Sequence, residues 1–327
     1  MKTNGQAKKA VISFVISILI FSLAALLFSL AFMSGRNNRS AGDGNGIVDP
    51  NGQTLNILLL LSDYAPEKFD DYDAESVKNV MGITVPTPEK APESVLAGYR
   101  KVFVEQMAIA RVDTVYGKVV FIPISGDTLV TFKGLRIKLG EIAGDWGVPV
   151  LVEKVHAVTG LEIDNYAVFS PQSAAKALDY AGSIDYTLKC NMKQTDSGRG
   201  IDIDITAGSS RFDGKMTVDL LRFDSYEKTG TTRSEIVSGY LKKLVSSLSE
   251  KTTKDEISKK IKSAFELSNT DLDTERDTAR LDLAASFVGL SVEYTELDGR
   301  WQTVENVRYF VLDETETLKM LSTYRDK

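Results

Sequence analysis

The chain has 327 residues, 43% hydrophobic and 26% charged, with a net charge of -6. Its 39 basic groups, against 45 acidic ones, include Lys2, Lys8 and Lys9 at the N-terminus, so the rest is more acidic still, which excludes a general nucleic-acid binder with a basic face. A single cysteine, Cys190, excludes an internal disulfide, and a single histidine, His156, excludes a His/Cys zinc site.

Residues 10–33 read AVISFVISILIFSLAALLFSLAFM, without charge, Pro or Gly. A helix of roughly 24 residues spans a hydrocarbon core of about 30 Å with some tilt. The lysines before it orient the N-terminus inward. The reading is a cytoplasmic tail (1–9), an uncleaved transmembrane anchor (10–33) and an outward domain. Residues 34–53, rich in Gly, Asn, Asp and Ser, read as a flexible linker.

The outward domain opens on the apolar run Leu55–Leu61, which fits a strand buried on both faces. Residues 64–95 are acidic and proline-bearing, and read as a surface loop or insertion. Met107–Val112 and Lys118–Ile124 form a hairpin pattern. Val148, Leu151, Val152, Val155 and Val158 share a helical stripe closed by Gly160. Ser170 before Pro171 is an N-cap signal. Cys190 reads as a small side chain at a strand end. Ile201, Ile203 and Ile205 alternate with polar residues, as in a strand with one wet face.

Asp213-Gly214 marks a turn before a helical run to Leu221. Ile236, Tyr240, Leu241, Leu244, Val245 and Leu248 make a long amphipathic helix, and Thr253 with Glu256 predicts a capping box for the next. Leu290–Tyr294 and Val307–Val311 read as strands around a turn at Asp298-Gly299, and a closing helix starts at Asp313. Alternating strands and helices with β-hairpins predict an α/β domain over residues 54–324: a mixed central sheet flanked by helices in an αβα sandwich.

Several short motifs, in this order, resemble those of the LytR-CpsA-Psr (LCP) family. Asn56-Ile57-Leu58-Leu59-Leu60-Leu61-Ser62-Asp63 is similar to its opening strand NILLLGSD. Ser125-Gly126-Asp127-Thr128 stands at its P-R-D-T motif. Lys138–Gly147 resembles K-I-N-A-A-Y-A-Y-G-G, and Leu161-Glu162-Ile163-Asp164-Asn165-Tyr166 resembles G-I-P-I-D-Y-Y. Ala207-Gly208 to Phe212-Asp213-Gly214 matches A-G-x-x-x-L-D-G. Leu221-Arg222-Phe223-Asp224 sits at V-R-F-R.

The resemblance implies membrane-anchored cell-envelope biogenesis. A phosphate-linked glycopolymer passes from a polyprenyl-pyrophosphate carrier to peptidoglycan, with Mg2+ as cofactor and no nucleic-acid partner. Such chemistry needs charge neutralisation and guanidinium groups on phosphate oxygens. The implied metal carboxylates are Asp127 and Glu105, the latter where the family has the aspartate of R-S-D-T. The plainer reading makes Asp127 a turn cap and Glu105 a solvated strand start.

The implied catalytic residues are Asp127, Arg222 and Arg233, with Arg222, Arg233 and Lys138 on the substrate. Other implied arginines are missing: Gly126, Phe103 and Asp224 stand in their places, and Arg233 alone survives from G-R-x-x-R-Q. Arg111, Arg211 and Lys138 are candidate substitutes. Two functions follow: an envelope glycopolymer transferase, or a catalytically degenerate homologue that binds lipid, glycan or a partner protein without turnover. One histidine and no nucleophile elbow argue against a serine or cysteine hydrolase.

Overall fold

The computed structural model describes residues 52–62 and 103–325, except 181, 198, 227–228, 250–252 and 287–289. The expected tail, anchor, most of the linker and the acidic segment 64–95 lie outside the described residues. Among the described residues no helix is long and apolar enough to cross a membrane.

The apolar run forms strand β1 (Thr54–Ser62). It lies inside a six-stranded sheet with β2 (Val104–Asp113), β3 (Lys118–Ser125), β6 (Asn165–Phe169), β11 (Asn269–Thr270) and β12 (Ser291–Tyr294), ordered β11-β6-β1-β2-β3-β12. The sheet is mixed: β1 runs antiparallel to β2 and parallel to β6, and β3 runs parallel to β12.

Strand pleating explains why β1 is apolar throughout. Leu55, Ile57, Leu59 and Leu61 enter one core, and Leu58 and Leu60 enter the other. The first core is covered by α3 (Pro171–Asp179), α4 (Gly214–Arg222), α5 (Arg233–Ser249), α6 (Lys254–Glu266) and α7 (Thr278–Ala285). The second is covered by α1 (Ile142–Trp146), α2 (Val148–Thr159) and α8 (Glu314–Leu321). Each fully buried aliphatic side chain contributes roughly 1.5–3 kcal/mol.

Local signals set the helix ends. Ser170 Oγ accepts from Ser173 N, Asp213 Oδ1 from Met216 N, and Thr253 closes its capping box with Glu256. Gly160 ends α2 in the left-handed conformation.

Four two-stranded sheets decorate this frame: β4 (Leu129–Phe132) with β5 (Leu135–Lys138), β7 (Ile184–Leu188) with β10 (Gly208–Phe212), β8 (Met192–Asp196) with β9 (Ile201–Ile205), and β13 (Gly299–Val304) with β14 (Val307–Leu312). The last corrects the sequence reading of the C-terminal strands. The 291–294 strand joins the central sheet, and 307–312 folds back on 299–304. The hairpin turns at Glu305-Asn306, both at positive φ (52° and 65°), not at Asp298-Gly299. Two successive left-handed residues match the twist of a two-residue hairpin, and the sequence there lacks the usual Asn-Gly signature.

Candidate functional site

The site forms where β1 and β3 end and β2 begins. In the β1–β2 ladder, Leu61 faces Gln106 and Ser62 faces Val104, so Glu105 is an extra residue. Such a bulge re-aims a side chain. Glu105 meets Arg222, the last residue of α4: Nε lies 2.6 Å from Oε1 and Nη2 lies 3.3 Å from Oε2. The pair is enclosed, with Glu105 3% and Arg222 5% exposed. Arg222 also donates to the carbonyls of Arg199 (2.8 Å) and Gly200 (3.5 Å).

After β3 the chain makes a tight corner. Thr128 donates to the Ser125 carbonyl through N (3.1 Å) and Oγ1 (2.7 Å), and Asp127 N donates to Ser125 Oγ (3.2 Å). Phe310 N then donates to the Asp127 carbonyl (2.9 Å), which ties the corner to β14. The β4–β5 hairpin turns on Lys133 and Gly134, both at positive φ, and brings Lys138 back opposite Leu129. Lys138 Nζ thereby reaches Asp127 Oδ1 at 2.7 Å.

Gly126 has a steric reason. A Cβ there would collide with the Val104 carbonyl oxygen, and Gly140 is pressed against the same atom. Gly126 N donates to Glu105 O (3.1 Å), and Gly140 N donates to Gly126 O (2.8 Å). The backbone layers stack too closely for any larger residue at either position.

These elements border a cavity of about 460 Å³ lined by Phe103, Asp127, Lys138, Glu141, Asp196, Arg199, Asp224, Trp301 and Arg308. Arg199, from the β8–β9 turn, is held between Asp196 (Nε–Oδ2 2.8 Å) and Asp224 (Nη2–Oδ2 3.2 Å). Asp224 stands where the resemblance implies an arginine, and here it anchors an arginine from elsewhere in the chain. Sequence reasoning missed Arg199; the only local signal was the Asp196-to-Arg199 spacing ahead of a glycine.

The expected site residues therefore divide. Asp127 and Lys138 meet and line the cavity. Glu105 and Arg222 meet in the buried pair beside it. Arg233 opens α5 and donates to the carbonyls of Leu221 (2.6 Å) and Phe223 (2.9 Å) and to Gln106 Oε1 (3.2 Å). Burial pushes the nearby Tyr294 hydroxyl up to about 12, with the Arg233 charge opposing it.

Of the three candidate substitutes Lys138 reaches the cavity, and Arg111 and Arg211 do not line it. Arg111 binds Asp113 (3.2 Å) and Asn56 (3.2 Å), at the far end of β2 from Glu105. Arg211 lies on β10 opposite Asp185. Cys190 is buried just past β7, and His156 Nδ1 lies 3.0 Å from the Leu161 carbonyl in α2's terminal turn.

A Mg2+ ion needs one or two carboxylates that can turn toward it. Asp127 and Glu105 each face a cation at 2.6–2.7 Å, so an ion between them would have to displace Lys138 or Arg222. Among the described residues no group of three or more His, Cys, Asp or Glu is placed to hold a metal ion. The arrangement does not fit a divalent cation there.

A three-layer α/β domain with a charged cavity at strand ends is a ligand-binding scaffold. The chain belongs to the LytR_cpsA_psr family, whose model matches residues 105–326. Solved structures share the fold. Bacillus subtilis TagV is 16% identical with a TM-score of 0.57, covering 83% of this chain and 95% of TagV. A putative transcription regulator from Eubacterium siraeum is 12% identical with a TM-score of 0.59, covering 88% and 100%. The family protein YwtF (TagT), solved with bound octaprenyl pyrophosphate lipid, is 15% identical with a TM-score of 0.51, covering 90% and 98%. Among curated proteins no sequence matches this chain.

Proposed function

We propose that this protein is a membrane-anchored, extracytoplasmic LCP member of cell-envelope biogenesis. It binds a polyprenyl-pyrophosphate-linked glycan at the Asp127–Lys138–Arg199 cavity and transfers it to peptidoglycan slowly or not at all. Family membership and the lipid bound to TagT support the ligand class. The run 10–33 supports the anchor, and the domain from residue 54 would face outward.

One observation carries the weak-turnover reading: Arg222, which is buried, and Arg233, which is half-buried, are both paired with groups of the protein itself. Arg222 binds Glu105 and two carbonyls, and Arg233 binds two carbonyls and Gln106. A guanidinium that stabilises a phosphoryl transition state is worth roughly 10³–10⁵ in rate, and it must point at the phosphate. Gly126 cannot be replaced by arginine without moving the Val104 backbone. Asp224 adds a negative charge where a diphosphate would sit.

Lys138, Arg199 and Arg308 favour the second reading, an active transferase, because they bring three cations to the cavity. Each could contact a phosphate oxygen, with charge-assisted bonds of about 1.5–3 kcal/mol. A transfer assay with a radiolabelled polyprenyl-pyrophosphate glycan, Mg2+ and peptidoglycan separates the two. Donor binding without product supports the binding reading. Rapid turnover abolished by Asp127→Ala overturns it in favour of the transferase.

A further inference from the structure

The β13–β14 hairpin carries a feature that a phosphate site does not require. Its register pairs Trp301 with Phe310 and Thr303 with Arg308, so Trp301, Arg308 and Phe310 share one face. Arg308 stacks on the indole at 4.4 Å, and Phe310 meets its edge with ring centroids 5.6 Å apart. These contacts fix the orientation of the ring, yet Trp301 remains 41% exposed. Of the large apolar or aromatic residues left exposed among the described residues, Trp301 alone lines the cavity.

The charges around it point the same way. Four carboxylates (Asp127, Glu141, Asp196, Asp224) face three cations (Lys138, Arg199, Arg308). A diphosphate alone would favour the opposite balance. A carboxylate has about four acceptor positions, so one ion pair leaves room for further donors. A fixed indole beside hydroxyl-accepting carboxylates suits a pyranose: the ring C–H face lies on the aromatic surface and the hydroxyls donate to the acids.

We propose that Trp301 is a stacking platform for a sugar ring, with Glu141 and Asp224 accepting from its hydroxyl or amide groups. The excess of acid around the indole selects a neutral or N-acylated sugar over a uronic acid at that ring. This inference rests on the glycan-lipid reading and names the sugar class of that ligand.

The test uses the full-length chain in lipid nanodiscs and saturation-transfer NMR, with three probes: N,N′-diacetylchitobiose, glucuronic acid and farnesyl pyrophosphate. Transfer to the chitobiose ring protons is expected, with none to glucuronic acid. Trp301→Ala should weaken chitobiose binding by about two- to tenfold, the range of one aromatic contact. Trp301→Phe should keep most of it, and farnesyl pyrophosphate should bind all three proteins equally, which also reports that the variants are folded.

Chitobiose signals equal in wild type and Trp301→Ala overturn the platform. So does farnesyl pyrophosphate binding without any chitobiose signal, which leaves the lipid reading intact. A Trp301-dependent chitobiose signal without farnesyl pyrophosphate binding supports the platform and removes the lipid reading.

Discussion

Arg222 and Glu105, 117 positions apart in the sequence, form an enclosed pair with Nε 2.6 Å from Oε1. The pair joins the end of α4 to the β2 bulge, and Arg222 also grips the β8–β9 turn through the Arg199 carbonyl. The arginine that the family resemblance assigns to substrate thus organises the wall of the cavity.

Breaking one partner leaves the other charged and buried, a loss of about 3–5 kcal/mol. Glu105→Ala and Arg222→Ala are each expected to lower stability by that amount in urea titrations. The double variant Glu105→Leu with Arg222→Met should recover much of it. Single variants within about 0.5 kcal/mol of wild type would show that the pair is not enclosed in solution.

Restoring the motif arginine should not restore chemistry. Gly126→Arg places a Cβ against the Val104 carbonyl oxygen, and overpacking of that kind typically costs about 1–3 kcal/mol. A lower thermal midpoint without faster glycan transfer is expected. A stable variant with faster transfer would mean that the corner opens easily.

How much of this was legible in the sequence depends on whether the signal was local. The β1 run, the Ser170 and Thr253 caps and the stripe of α2 follow from pleat, capping and helical period, whereas Asp213, read as a turn, is in fact the N-cap of α4. The structure bears out the mixed α/β fold. The Asp127–Lys138 contact depends on a Lys133-Gly134 turn, and the Glu105–Arg222 pair on a bulge. Neither has a strong one-dimensional mark. Arg199 was invisible for the same reason: two separate acids define its place, and one of them, Asp224, read in isolation as a loss of charge.

Asp224 therefore offers a direct electrostatic test. Asp224→Asn removes a partly exposed acid, so fold stability should shift by less than about 1 kcal/mol. Arg199 would be released toward ligand, and inorganic pyrophosphate should bind about three- to tenfold more tightly by calorimetry. The gain should shrink in about 1 M salt, where the screening length falls to roughly 3 Å. Unchanged or weaker binding would place the diphosphate elsewhere.

Lys260 on α6 supplies a pH signature. It is 8% exposed, and burial lowers its pKa below the ordinary 10.5, with Glu256 opposing in part. The unfolded chain then holds that proton more tightly than the folded one. The cost is fully present below the folded-state pKa and disappears as pH rises toward 10.5, so this group makes stability increase with pH across that window. Lys260→Met should be more stable than wild type at neutral pH, with the difference narrowing in alkali. A constant difference from pH 7 to 10.5 would contradict the assignment.

The central claim is that the cavity beside Asp127, Lys138 and Arg199 holds a polyprenyl-pyrophosphate headgroup. Mass spectrometry of lipid co-purifying with the full-length protein from a Gram-positive host tests it most directly. The account predicts near-stoichiometric polyprenyl-pyrophosphate species, depleted in the Lys138→Glu/Arg199→Glu double variant. Only bulk phospholipid, in equal amounts from both proteins, would contradict it.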